Sequence, residues 1–534
     1  MAPEPADWLL SSSERGNPCT VLDDGHADGS AWSTGNLVRP LVHGAVYFAE
    51  LAERIAGTGP GDLIYFTDWR GDPDERLTGE RGSEVVTLLG AADRRGVDVR
   101  GLVWRSHWDK LSFSGAENRN LGEQLQANGA EVLLDMRVRT GGSHHQKLLV
   151  IRYGGRPERD VAYVGGIDLC HSRRDDAGHR GDPQPQSMAA VYGPTPAWHD
   201  VQAAISGPGV HDVETVFRER WLDPTPLTRH PLHRLRDRLA RDDTSADPLP
   251  DQAPPPPAVP GGTHALQLLR TYPNLRHGRD HPYARGGERS VARGYSKALE
   301  RTDQLVYVED QYLWSAEVAQ AFADALRRSP RLRVIAVLPQ RPDQSSPLSR
   351  VPQDLGRAAA LRVIQEAGGE RVAVYGIENH AGTPVYVHAK VCVMDDCWAT
   401  IGSDNFNRRS WTHDSELSAV VVDTEGGDHS AYARRLRLTL AAEHLDREVD
   451  VDTLAARMAD CVSAEGMADA FAASAARLQA WQDGGRQGPR PAGRLVPLPQ
   501  PRIGRLSRLW AWPLYRAVLD PDGRPRALRR KQTF

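Results

Sequence analysis

The stretch SHHQKLLVIR, residues 143–152, runs two histidines and a lysine straight into an apolar segment of strand length. The arrangement returns in YVHAKVCVM, residues 386–394. At the mouth of a strand, residues i and i+2 point to one face, so His145 with Lys147, and His388 with Lys390, are expected to project together. Lysine is scarce in this chain: Lys110, Lys147, Lys297, Lys390 and Lys531 stand among 66 basic residues. One HxK alone would read as a surface pair. Two copies that use two of the five lysines require a shared purpose.

Working outward, the flanks repeat as well. GDLIYFTDW (61–69) parallels TDQLVYVEDQYLW (302–314), and GVDVRGLVWR (96–105) parallels RLRVIAVLPQR (331–341). NLGEQLQANGAEVLLDM (120–136) parallels AAALRVIQEAGGERVAVYG (358–376), each a helical stretch with its following strand. The common order of parts indicates an internal duplication. Strands alternating with helices predict a parallel-sheet α/β architecture in each half. Between the halves lies DPLPDQAPPPPAVPGG (247–262), whose prolines disfavour helix and central strand and predict an extended linker. The expected organisation is an N-terminal half over 1–246, the linker, a C-terminal half over 263–427 and a helical extension over 428–534. Helices are expected at 429–445 and around 452–482. The tail GRLSRLWAWPLYRAVL (504–519) sets Trp510, Trp512 and Tyr515 among arginines. Packing onto the domain body is its simplest reading, and contact with a membrane interface is the other.

A chain of 534 residues is too long for one core. Hydrophobic content of 40% and charged content of 25% are ordinary for a globular protein. The net charge of −4 argues against a protein whose main task is coating nucleic acid. The N-terminus lacks a signal-peptide pattern, and no run approaches the roughly 18 apolar residues of a membrane span. A cytoplasmic location with peripheral membrane association is therefore expected. Cys19, Cys170, Cys392, Cys397 and Cys461 lack metal-ligand spacing and read as free thiols.

Two imidazoles and two ammonium groups facing one cleft suit a tetrahedral, anionic substrate. The lysines would neutralise phosphoryl oxygens while one histidine attacks phosphorus. The other would protonate the departing alcohol and later take a proton from the acceptor. The scheme needs no metal or other cofactor, and the lysines would repel a zinc ion from the paired histidines. A small-residue turn follows each motif strand: YVGGIDLC, with Gly165, Gly166 and Asp168, and TIGSDNFNRRS, with Gly402, Ser403 and Asn405. Such turns let backbone approach a ligand closely. Each half then supplies an acid heading another strand, Asp200 in WHDVQAAI and Glu416 in HDSELSAVV, able to fix a histidine's tautomer.

These residues resemble the phospholipase D superfamily, in which two copies of HxKxxxxD with a glycine-rich turn build one active site between two similar α/β halves. His388, Lys390 and Asp395 match the second copy in full, and GSDNFNRRS is similar to the family's GSANINxRS. HHQK, GGIDLC, WHDV, SGPGVHDVETVFRERW (206–221), FTDWRGDPDERL (66–77) and VEDQYLW (308–314) resemble the eukaryotic-like phospholipases D in particular. The resemblance spans about residues 30–425. It implies two α/β/α halves sharing one cleft. It makes His145 the nucleophile of a phosphohistidine intermediate and His388 the general acid, then base. Lys147, Lys390 and Asn405 would hold the phosphate, with Asp168 in Asn405's place in the other half. Gly166 and Ser403 would line the substrate turn, Asp395 would have a structural part, and Asp200 and Glu416 would support His145 and His388 respectively. Two departures stand out: Arg152 occupies the place of the first motif's aspartate, and Asp404 that of the alanine in GSAN. At strand rise Arg152 lies about 16 Å beyond Lys147, too far to share its phosphate, so the missing aspartate is expected to affect how the strand end is anchored. His144, on the opposite face, is expected to pack or to give hydrogen-bond support.

The implied activity is hydrolysis of glycerophospholipids at a membrane surface to phosphatidic acid and a head-group alcohol. Transphosphatidylation is expected where an alcohol competes with water. A nuclease or DNA-repair phosphodiesterase is the second enzymatic reading, disfavoured by the acidic balance. A catalytically silent phospholipid-binding relative is the third, opposed by the intact His145, Lys147, His388 and Lys390.

Overall fold

The computed structural model describes residues 3–26, 29–107, 115–240, 243–275, 280–425, 431–531 and 533–534. The expected domain boundary at 427, and the first residues of the helix expected at 429–445, lie outside these. Among the described residues, one 16-stranded sheet runs through both halves. Its centre is the antiparallel contact between Ser33–Val42 and His264–Tyr272. Outward from the first of these come Val201–Ser206, Val161–Gly165, Leu148–Arg152, Leu63–Asp68, Asp98–Trp104 and Glu131–Asp135. Outward from the second come Glu416–Asp423, Trp398–Gly402, Val391–Met394, Leu305–Glu309, Arg333–Val337 and Val372–Ile377. The same order on both sides of the centre is the duplication made visible.

Parallel pairing holds for only part of each half. Leu63–Asp68, Asp98–Trp104 and Glu131–Asp135 run parallel, as do Leu305–Glu309, Arg333–Val337 and Val372–Ile377. The motif strands and their neighbours toward the centre are antiparallel. The parallel-sheet expectation is corrected for the motif strands, because each returns through a hairpin, which joins antiparallel neighbours. In the second half that turn is Asp395–Asp396. Both residues have positive φ, 49° and 53°, and the Cys397 N–H donates to the Met394 carbonyl at 2.9 Å.

Alternation along the strands sorts side chains between layers. Leu149 and Ile151 face an outer core with helices Gly44–Ala56, Val85–Arg94 and Gly115–Ala127. Cys392 and Met394 face the corresponding core of the second half, with Ser290–Arg301, Ala316–Arg328 and Pro347–Gly368. Leu148, Val150, Val391 and Val393 share a central core with helices Gly209–Trp221 and Ala431–His444. The C-terminal extension is helical at Ala464–Asp483 and Arg505–Leu514 and also adds the edge strand Leu495–Pro497, beside Val372–Ile377.

The proline-rich linker, without helix or strand over 247–262, is tied to helix Gly209–Trp221. The Arg218 side chain donates to the Pro250 carbonyl at 2.7 Å and the Trp221 indole to that of Asp247 at 2.9 Å. Arg152 joins this anchorage. Its guanidinium donates to the Pro254 carbonyl at 2.6 Å and pairs with Asp160 at 2.7 Å and Glu214 at 2.8 Å. The two motif copies thus end differently. Asp395 sits in its turn and accepts N–H bonds from Asp303, Gln304 and Leu305 at 2.7, 2.9 and 2.7 Å, clamping the start of the adjacent strand. Arg152 is still within its strand, opposite Leu63, because the first hairpin is longer.

Candidate active site

The paired histidines and lysines sit just ahead of their strands, which begin at Leu148 and Val391, instead of inside them. The reason lies in the other half. The His145 N–H donates to the Ser415 carbonyl at 2.9 Å, and Ser415 N–H to the Ser143 carbonyl at 3.0 Å. In mirror fashion the His388 N–H donates to the His199 carbonyl at 2.8 Å, within a short parallel pairing of Val385–Val387 with Ala197–His199. The segment before each HxK is therefore zipped to the segment before the opposite half's acid.

That zipper decides which acid meets which histidine. Glu416 Oε2 lies 2.8 Å from His145 Nδ1, and Asp200 Oδ2 lies 2.6 Å from His388 Nδ1. The expected pairing, Asp200 with His145 and Glu416 with His388, is corrected: each carboxylate crosses to the histidine of the other half. Sequence order gives no hint of this, because the pairing is made by backbone contacts between segments some 200 residues apart or more.

Both imidazoles are held well below their ordinary range. Burial is the largest cause for each, followed by Lys147 and Lys390 for His145, and by Lys390, Arg173 and Lys147 for His388. Each lysine acts on the other half's histidine as well as on its own, so the four groups share one electropositive pocket. Burial also pulls Lys390 down to about 8, against the opposing pull of Asp200, and pushes Glu416 up to about 7. An anion entering this pocket relieves repulsion between cations in a weakly screened setting.

The neighbouring residues fall into place around these four. Lys147 Nζ lies 3.3 Å from Asp168 Oδ1, which also accepts the Trp69 and Arg70 N–H groups at 3.1 and 3.3 Å. Asp168, expected beside the phosphate, is thus a partner that orients Lys147, since a carboxylate repels an anion. Lys390 Nζ donates to Gln311 Oε1 at 3.2 Å. Ser403 donates its hydroxyl to Glu416 at 2.6 Å and so positions that acid. A side chain at Gly166 would meet Asp200 at 2.2 Å, so glycine there admits the acid to His388. Asn405 is buried, and its Oδ1 has no hydrogen-bond partner. His144 is fully buried with neither ring nitrogen bonded, and packs.

Asp404, the departure in the glycine-serine turn, is buried, bonded to the Ser418 hydroxyl and pushed up to about 7 by burial. Four contributors, Trp198, Arg173, Trp69 and Gln311, escaped the sequence reading. Trp198 lies tilted by 39° against the His388 ring, 4.9 Å between centroids, and carries Arg173 at 3.9 Å over its own face. Trp69 stands edge-on 6.1 Å from His145. Trp69 and Gln311 follow equivalent strands in the two halves, so the duplication pointed to both; Arg173, one arginine among many, carried no such signal.

Residues 119–248 match the phospholipase D family, and residues 295–435 match a family described as cardiolipin synthase, PLD-like domain. Phospholipase D beta 2 of Arabidopsis thaliana is 26% identical, over 72% of this chain and 55% of that protein. Phospholipase D2 of Bos taurus is 24% identical, over 73% of this chain and 50% of that protein. The chain spans about half the length of these curated relatives. The crystal structure of phosphatidylserine synthase from Haemophilus influenzae Rd KW20 aligns with a TM-score of 0.48 at 15% identity, covering 73% of this chain and 82% of that one. With one family match in each half and relatives aligned across both, the chain belongs to the phospholipase D superfamily.

Proposed function

We propose that the chain is a phosphodiesterase that hydrolyses glycerophospholipids to phosphatidic acid and a head-group alcohol, and transfers the phosphatidyl group to alcohols when these compete with water. The observation that carries this reading is the crossed pair of histidine–carboxylate dyads flanked by Lys147 and Lys390 in one pocket. Glu416 accepts the Nδ1–H of His145 and leaves the Nε2 lone pair free to attack phosphorus. Lys147, Lys390 and Asn405 take the non-bridging oxygens. With the phosphate's charge offsetting the lysines, His388 can carry a proton, which its Nε2 delivers to the departing alkoxide while Asp200 steadies the imidazolium. Neutral His388 then draws a proton from water or an alcohol, which displaces phosphate from His145. The near-symmetry leaves the choice of nucleophile to the family resemblance.

The C-terminal tail supports a membrane-surface substrate. Tyr515 packs beside Trp314 and Leu355, as the simpler reading expects. Leu506, Leu509, Trp510 and Trp512, however, are 81, 75, 41 and 47% exposed, next to exposed Arg505 and Arg508. Indole rings with arginines favour the interface between water and lipid. Among the described residues no helix is long and apolar enough to cross a membrane.

The test is release of choline or ethanolamine from phospholipid vesicles, and formation of phosphatidylbutanol with added butanol, by wild type, His145→Ala and His388→Ala. Activity in wild type and its loss in both variants is expected. No head-group release alongside cleavage of single-stranded DNA would sink the lipid reading, and full activity in His145→Ala would sink the nucleophile assignment.

A further inference from the structure

Behind the Asp200–His388 dyad lies a second cluster of titratable groups that the proposed reaction does not use. His43, His179, His199 and Glu443 bring one ligand atom each to within 4.8 Å of one another. Glu443 Oε2 lies 2.7 Å from His43 Nε2, and Glu443 Oε1 lies 2.9 Å from His179 Nε2 and 3.3 Å from His199 Nδ1. The three histidines are buried, and the Glu443 side chain is 12% exposed. They come from the N-terminal half, while the glutamate comes from helix Ala431–His444, at the start of the C-terminal extension.

The hydrogen bonds on the far sides of two rings define what the near sides can do. His179 Nδ1 lies 3.1 Å from the Trp198 carbonyl, which can only accept, so Nδ1 carries the proton. His199 Nε2 lies 2.6 Å from Glu309 Oε2, again an acceptor, so Nε2 carries the proton there. The second nitrogen of each ring then faces the same Glu443 oxygen, and a proton or a metal cation must lie between them. A divalent ion at the convergence of the four groups answers all of them at once. With bonds of about 2.0–2.2 Å, neighbouring ligands of a tetrahedral ion stand about 3.3–3.5 Å apart, which asks the present contacts to open by about half an ångström. His199 Nδ1, fully buried and without a hydrogen-bond partner, points into this space. Glu309, which also accepts from His444 at 2.7 Å, supplies the carboxylate-to-histidine support that orients metal ligands. His43 meanwhile holds φ 73° and ψ 149°, a conformation that side chains avoid unless their surroundings impose it.

We infer that His43, His179, His199 and Glu443 form a structural site for a divalent transition ion of the zinc class, favoured by three imidazoles and one carboxylate. The ion would staple the C-terminal extension to the N-terminal half behind the candidate active site. The coupling is direct: the His43 N–H donates to the Asp200 carbonyl at 2.9 Å, and the His199 carbonyl accepts the His388 and Ala389 N–H groups at 2.8 and 3.1 Å. The inference stands apart from the proposed activity, and its readout is metal content.

The experiment incubates the full chain with zinc chloride, desalts it, and measures zinc per chain by plasma mass spectrometry, together with melting temperature with and without chelator. Wild type and His145→Ala are expected to retain one zinc per chain and to melt lower after chelation. Glu443→Gln, which preserves shape, and His179→Ala are expected to lose retention at least tenfold. Cobalt(II)-loaded wild type should show the visible bands of a four-coordinate ion, which keeps the test decisive if a variant fails to fold. Wild type that retains neither metal would mean that protons alone fill the cluster and would overturn the inference. Retention unchanged in Glu443→Gln and His179→Ala, or lost in His145→Ala, would place the metal elsewhere and overturn it too.

Discussion

Replacing Asp200 by asparagine tests the crossed architecture of the site. Asp200 is buried and accepts the His388 Nδ1–H at 2.6 Å, with Trp198 Nε1 3.4 Å from the same oxygen. Asparagine keeps the volume and removes the charge that stabilises a His388 imidazolium. A hydrogen bond to a charged group contributes about 1.5–3 kcal/mol, or roughly 10–150-fold at 1.36 kcal/mol per decade. An asparagine NH2 turned toward Nδ1 would also select the tautomer with its proton on Nε2, removing the lone pair that His388 needs as a base, which extends the loss toward about 10⁴-fold, the upper range for general acid–base catalysis. The expected fall in kcat for Asp200→Asn is thus about 10²–10⁴-fold on a choline phospholipid. The assay compares that substrate with a p-nitrophenyl phosphodiester, whose leaving group departs without a proton. Because Asp200 serves the acid, Asp200→Asn should recover much of its rate on the activated ester. Glu416→Gln, which weakens the His145 nucleophile, should not. Rescue of Glu416→Gln in place of Asp200→Asn would refute the assignment of roles to the two dyads.

Three further outcomes follow from the same geometry. Arg152→Asp restores the family's motif residue yet should destabilise the fold by about 3–5 kcal/mol in denaturant titration, because it sets a third carboxylate beside buried Asp160 and Glu214 and frees the Pro254 carbonyl. A more stable variant would mean that Arg152 is not an anchor. Asp404 is pushed from 3.8 to about 7 by burial, so the folded chain holds a proton that the unfolded chain has lost, and stability falls as pH rises through that window. Asp404→Asn should therefore raise the melting temperature at pH 8, by on the order of 2–4 kcal/mol of stability, with little gain at pH 4; a gain equal at both pH values would count against it. The double change Trp510→Ala with Trp512→Ala should weaken binding to anionic vesicles several-fold while sparing hydrolysis of a soluble short-chain substrate. Unchanged vesicle binding would remove the tail as a membrane contact.

Much of this molecule was legible in one dimension. The spacing of His145 with Lys147 and of His388 with Lys390, repeated within matching flanks, led to the duplicated α/β fold, and the common strand order about the central pair bears this out. The turn residues were legible as a set, although their jobs were not. Asp168 turned from phosphate contact to lysine partner, Ser403 to a support for Glu416, and Gly166 to clearance for Asp200. Arg152 read only as a broken pattern, since the two acids it pairs with and the linker carbonyl it holds lie far apart in sequence.

The sequence by itself determined what is local: strand and helix periodicity, the small-residue turns, and the identity of the two HxK pairs. Periodicity and turn chemistry act over a few residues, so one chain suffices to read them. Only the tertiary structure decided which acid serves which histidine, and which histidines gather around Glu443. These are contacts between the halves, set by backbone bonds such as His145 to Ser415 and His388 to His199. An ion pair across more than 180 residues leaves no periodic trace, because its energy depends on distance in space and on burial, and neither is a property of sequence order.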